Sequence, residues 1–127
     1  MRVLLVDDHP MVRESLAHLQ STEPDIEVVG GAEHRESAAD QTRALQPDVV
    51  VLDVTLPIRT GIAATRALCD AFPGVYVIGL SVDEAADRAV VQFAAGAKAY
   101  VSKMDLPRVL LAAIRAAATS PLPDVAA

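Results

Sequence analysis

The sequence predicts an α/β domain: a doubly wound, three-layer arrangement with a five-stranded parallel sheet and five helices. Three observations carry this. Five short, largely apolar runs alternate with segments that have helical character, in strict β-α order. The connections are too short for anything but right-handed crossovers onto a parallel sheet. The third run, Val49 to Leu52, is unbroken and rich in β-branched residues, as strands covered on both faces are.

Arg2–Val3–Leu4–Leu5–Val6 reads as the first strand, ending in Asp7–Asp8–His9–Pro10. Proline suits the first turn of a helix, and an Asp or His before it can cap. The first helix is expected over 10–20, with Val12, Leu16 and Leu19 on one face. Ile26 to Val29 reads as the second strand, closed by Gly30–Gly31, and residues 32–45 as the second helix. Gln46–Pro47 stops that helix, because the residue before proline disfavours the α region.

Val49–Val50–Val51–Leu52–Asp53 is the third strand, and it ends in an acid. Open α/β sheets place their ligand sites at such carboxyl ends. Asp53 can there be a solvated loop residue, a metal ligand or a nucleophile. Gly61 is expected to break the following loop, with the third helix over 62–72 and Pro73–Gly74 ending it. Val75 to Leu80 is the fourth strand and leads into Ser81. The fourth helix opens at Asp83 or Asp87 and extends to about Ala95, with Gly96 as C-cap. Lys98 to Ser102 is the fifth strand and leads into Lys103. The fifth helix is expected from about Leu106 to Ala118, with Leu106, Val109, Leu110, Ala113, Ile114 and Ala117 as its apolar stripe. The domain therefore covers 1–118, and residues 119–127 have linker composition.

The 127 residues, 52% of them hydrophobic, suit one domain with a full core. A net charge of −6 argues against a duplex-binding surface, which needs clustered Lys and Arg. With Cys69 as the only cysteine, no intrachain disulfide forms. The first apolar run is too short for a signal peptide or a membrane span, so a cytoplasmic protein without membrane contact is expected.

In a parallel sheet all carboxyl ends point the same way. Asp7, Asp8, Asp53, Ser81 and Lys103 thus converge on one crevice. Three carboxylates repel, and a divalent cation or Lys103 relieves them. An oxygen-only donor set suits Mg2+; the histidines are scattered and give zinc little support. A carboxylate beside Mg2+, a hydroxyl and an ammonium is equipped to accept a phosphoryl group, with Asp53 as nucleophile.

The residues Val3–Leu4–Leu5–Val6–Asp7–Asp8–His9, Val51–Leu52–Asp53 with Pro57 and Gly61, Gly79–Leu80–Ser81, and Gly96–Ala97–Lys98–Ala99–Tyr100–Val101–Ser102–Lys103 keep a known order and spacing. They resemble the receiver domain of two-component response regulators, of the NarL/FixJ type. The resemblance implies a flavodoxin-like, CheY-like fold with strand order 2-1-3-4-5. It implies that Asp53 accepts the phosphoryl group from a sensor histidine kinase. Asp8, Asp53, Asp7 and the Thr55 carbonyl would hold Mg2+, and Ser81 and Lys103 the phosphoryl oxygens. Ser81 and Tyr100 would form the switch that alters the surface of the fourth helix, fifth strand and fifth helix. Independently of the resemblance, the alanine-rich, apolar stretch from Ala85 to Ala95 and the fifth helix would leave apolar surface for a homodimer on phosphorylation. The chain would catalyse its own Mg2+-dependent phosphorylation and dephosphorylation. A following helix-turn-helix domain, rather than this one, would bind DNA in a transcription regulator; the alternative is a stand-alone or degenerate receiver that acts as a binding module. Haloacid-dehalogenase hydrolases also form an aspartyl phosphate, but they carry an acid where Thr55 stands. Val82, where small residues are common, predicts slow phosphorylation by small donors.

Overall fold

A computed structural model of the chain describes residues 1–7, 9–32, 38–53, 58–81, 95–103, 106 and 108–119. Five strands, β1 (Arg2–Val6), β2 (Glu27–Ala32), β3 (Val49–Asp53), β4 (Tyr76–Ser81) and β5 (Ala99–Ser102), form one sheet in the order β2-β1-β3-β4-β5. Every pairing is parallel. Four helices are described: α1 (Pro10–Thr22), α2 (Ala38–Leu45), α3 (Ile58–Ala71) and α4 (Arg108–Thr119). The helix expected to end at Ala95 lies, before that residue, outside the described residues, as do residues 120–127.

Alternation along the strands explains the three layers. Val3, Leu5, Val49, Val51, Ile78 and Leu80 turn to one face, where Val12, Leu16 and Leu19 of α1 and Leu110 and Ile114 of α4 cover them. Leu4, Val6, Val50, Leu52 and Val77 turn to the other, under Ala38 of α2 and Leu68 of α3. Each such Leu, Ile or Val contributes roughly 1.5–3 kcal/mol by leaving water. The apolar stripe expected in the last helix is interrupted at its edge, since Val109 is 39% exposed. Among the described residues, no helix is long and apolar enough to cross a membrane.

Several boundaries differ from the sequence reading. β2 continues through Gly30 and Gly31, which pair with Leu4 and Leu5 across a bulge in the ladder, and it includes Ala32. Non-local pairing with β1 overrides the poor strand propensity of glycine. A Cβ on Gly30 would stand 2.7 Å from Leu45 Cδ1, so the glycine is what lets α2 lie against the strand. Ala32 thus belongs to β2 instead of the second helix, whose described part is Ala38–Leu45, and residues 33–37 lie outside the described residues. α3 starts at Ile58 and runs through Gly61, which was expected to break the chain. One interior glycine costs about 1 kcal/mol, less than the packing of a helix face returns. α1 extends two residues beyond Gln20, where the Ser21 and Thr22 hydroxyls donate to the His18 carbonyl. α4 starts at Arg108 instead of Leu106. Gln46 leaves α2 with φ 50°, the left-handed exit that often ends a helix.

Gly96 adopts φ 116°, and a Cβ there would lie 2.7 Å from both Cβ and Sγ of Cys69. Gly96→Ala is therefore expected to destabilise the fold by about 2–4 kcal/mol, combining a disfavoured backbone with overpacking. Gly74→Ala, whose added carbon meets nothing within 4 Å, is the control and should stay within about 0.5 kcal/mol. Urea unfolding of both variants checks this.

Arg115 of α4 reaches the connection between α1 and β2, pairing with both Glu23 and Asp25. The Met1 ammonium donates to the Asp25 carbonyl at 2.5 Å. The guanidinium of Arg115 holds the Asp25 carboxyl below the ordinary carboxylate range. A folded-state value below the unfolded one stabilises at pH above the unfolded value, and the contribution disappears as pH falls through the folded value. Arg115→Gln should thus lower stability at neutral pH, with the difference from the parent vanishing in acid. Urea midpoints from pH 7 to 2 read this out, and a constant difference would contradict it.

Candidate functional site

Strand register brings the chemistry together. Val6 pairs with Leu52, so Asp7 leaves β1 level with Asp53 at the end of β3. Asp53 pairs with Leu80, which places Ser81 one step beyond it, and Ser81 pairs with Ser102, just before Lys103. Four side chains from four adjacent strands therefore stand at one end of the sheet.

Lys103 is buried among the acids. Its Nζ lies 2.9 Å from Asp7 Oδ2 and 3.5 Å from Asp53 Oδ2. The Lys103 and Asp7 side chains are 1% and 0% exposed, whereas Asp53 retains 18%. Counting these three groups, two carboxylates face one ammonium. Buried charges are tolerated only when paired, so the arrangement favours a further cation.

Asp7 is held from its own backbone. Its Oδ1 accepts from the His9 amide at 2.8 Å, closing a tight turn into α1. Its Oδ2 accepts no hydrogen bond among the described residues, although the ammonium is near; that contact is an ion pair without hydrogen-bond alignment. A buried carboxylate oxygen with open lone pairs suits a cation or a cation-bound water. The donor set thus fits Mg2+, with Asp7 and Asp53 as the described residues able to hold it.

His9 is the residue that sequence reasoning missed. It stands at the N-cap of α1 but makes no capping hydrogen bond with its side chain. Its ring turns to the crevice instead, with Nδ1 2.6 Å from Asp7 Oδ1, 2.8 Å from Lys103 Nζ and 3.9 Å from Asp53 Oδ2. The available signal was the Asp-x-His spacing, which a turn closed on the Asp carboxylate folds back on itself.

A family profile described as the response regulator receiver domain matches residues 3–115. The chain belongs to this family. The receiver domain is similar to the transcriptional regulatory protein LiaR of Bacillus subtilis, 36% identical over 119 residues, which cover 92% of this chain and 56% of LiaR. It is also similar to the response regulator GacA of Pseudomonas viridiflava, 36% identical over 103 residues, 81% of this chain and 48% of GacA. The chain spans about half the length of the curated relatives it matches. Among solved structures, a LuxR-family two-component response regulator from Aurantimonas sp. SI85-9A1 superposes with a TM-score of 0.83 at 37% identity, covering 98% of this chain and 91% of that one. The response regulator domain of Thermotoga maritima CheB superposes with a TM-score of 0.77 at 28% identity, covering 95% and 98%.

In this receiver domain the residues expected at the site have separate placements. Asp7, Asp53 and Lys103 come into contact, and Ser81 is buried at the same sheet end. Tyr100 is on β5, partly buried against the core face formed by Leu4, Val6 and Val77. Asp8, Thr55 and Val82 lie outside the described residues.

Proposed function

We propose that this receiver domain is a phosphoryl-accepting switch, with Asp53 as the acceptor. The supporting observation is a contrast in exposure. Asp53 is the acid of the described crevice that a donor can reach, at 18% exposure, while Asp7 is fully buried and engaged by His9 and Lys103. A carboxylate oxygen of Asp53 attacks the phosphorus of a sensor kinase's phosphohistidine. The P–N bond breaks as the P–O bond forms, and the leaving imidazole takes up a proton. Lys103, 3.5 Å from Asp53 Oδ2, offsets charge that grows on the transferring oxygens. Ser81 donates its hydroxyl to the same group. Mg2+, when held by Asp7, Asp8, Asp53 and the Thr55 carbonyl, supplies further charge neutralisation. Water attacking the same phosphorus returns the carboxylate.

Movement of Ser81 and Tyr100 would then bias two pre-existing arrangements of the surface around β5 and α4, where a homodimer would form. We place the domain in the cytoplasm, as the regulatory part of a transcription regulator whose DNA-binding domain is separate. The test is incubation with Mg2+ and acetyl phosphate, followed by intact mass. One phosphoryl group per chain, removed by hydroxylamine, is expected. No labelling, or many turnovers on a phosphate ester, would overturn the reading.

A further inference from the structure

We propose that the groove between α1 and the edge strand β2 binds a small amphipathic carboxylate, with its charge on Arg13 and its hydrocarbon body against Leu5, Leu16 and Val28. The groove has a volume of about 520 Å3. Small-molecule sites span roughly 300–1,000 Å3. Among the described residues, none that lines it belongs to the crevice of Asp7, Asp53 and Lys103, so the proposal stands whether or not Asp53 accepts phosphate.

The sequence explains why there is room. β2 carries an extra residue, Val29, where its register on β1 shifts. Val28 therefore pairs with Val3, Gly30 with Leu4 and Gly31 with Leu5. Val3 and Leu5 face the layer of α1, so β2 offers that layer Val28 and then a glycine. α1 meets the same place with Ala17. A glycine opposite an alanine leaves space that larger side chains would close.

The helix then supplies polar groups at both ends of that space. Arg13, Leu16, Ala17 and Gln20 stand at i, i+3, i+4 and i+7, on one face of α1. Arg13 Nε donates to the Asp7 carbonyl at 3.4 Å, which ties the side chain to the end of β1. A guanidinium carries its donors in a planar fork that matches a carboxylate. Gln20 commits its Oε1 to the Val28 amide, 2.6 Å away, which turns its amide nitrogen into the available donor. Arg13 and Gln20 are seven residues apart, or about 10 Å along the helix, with apolar surface between them. Among the described residues lining the groove none is acidic, although the chain carries a net charge of −6. One cation beside an apolar trough favours an anion with a hydrocarbon body over a polar anion or a neutral alcohol.

Octanoate spans a similar length and is the probe. The experiment titrates isotope-labelled protein with octanoate, octanol and octylammonium, each below its micellar concentration, and follows amide shifts by NMR. Octanoate should shift the amides of Ala17, Val28 and Gly30 and saturate at one site. Octanol should bind about tenfold more weakly, and octylammonium more weakly still. Arg13→Gln should lower octanoate affinity about tenfold and leave octanol unchanged. Ala17→Leu fills the groove and should remove the shifts with every ligand. Both substitutions are at exposed helix positions, so amides away from α1 and β2 should keep their parental shifts. The three ligands on the parent need no variant and decide by themselves. Equal affinity for acid and alcohol, or undiminished octanoate affinity in Arg13→Gln, overturns the proposal. Octanoate shifts that never saturate overturn it as well. Groove shifts that follow protein concentration instead of octanoate would give the groove to a second copy of the chain and refute the ligand site.

Discussion

Asp53→Ala is expected to abolish acyl-phosphate formation while leaving the fold intact. The substitution removes the proposed nucleophile, and the neighbouring acid cannot replace it. Asp7 is fully buried, with its Oδ1 bonded to the His9 amide and its Oδ2 paired with Lys103. The loss should therefore be complete. Stability should change by no more than about 1 kcal/mol, because the variant removes one of two carboxylates that share an ammonium. Asp53→Asn keeps the shape of the side chain and should be equally inert. Intact mass after incubation with acetyl phosphate and Mg2+ measures the first effect, and urea unfolding the second. Labelling of Asp53→Ala at the parental level would place the acceptor elsewhere. Loss of labelling together with unfolding would leave Asp53→Asn to decide.

Lys103→Met has the largest expected effect on stability. Lys103 and Asp7 are 1% and 0% exposed, so the charge of Asp7 would lose its partner in a dry environment. Breaking a buried pair from one side costs about 3–5 kcal/mol. Methionine keeps most of the volume, so packing loss is a small part of that figure. Saturating Mg2+ should return some of the stability, since a divalent cation also neutralises Asp7. Phosphoryl transfer should slow about a hundredfold or more with the ammonium gone from beside Asp53. Urea midpoints with and without Mg2+, together with labelling time courses, separate the two effects. A variant as stable as the parent would show that the Asp7 charge is neutralised by other means.

Much of the layer structure was legible because buried parallel strands leave unusually plain sequences. Val49 to Leu52 is apolar at every position, and the structure buries all four. Val12, Leu16 and Leu19 fell on one helix face and are buried as a set. The glycines were misread for a common reason. Gly30 and Gly61 weaken a strand or helix locally by about 1 kcal/mol, but pairing with β1 and packing of α3 are larger and non-local. His9 was misread because a helix start seemed to explain it. Its ring instead joins a lysine 94 residues away, a contact no local pattern encodes.

By itself the sequence determined the order of elements, their buried faces and the kind of group that ends each strand. The period of a strand encodes which side chains point up or down, and apolar runs encode burial on both faces. It contains no comparable local record of which strand lies beside which. That choice came from family resemblance and is seen directly in the sheet order β2-β1-β3-β4-β5. It makes β1 and β3 neighbours and thereby sets Asp7 beside Asp53. It also brings Lys103 in from beyond β5 to sit between the two acids. Hydrogen bonds between strands and the burial of charge are satisfied only once distant segments meet, so the electrostatics of the crevice belong to the tertiary structure alone.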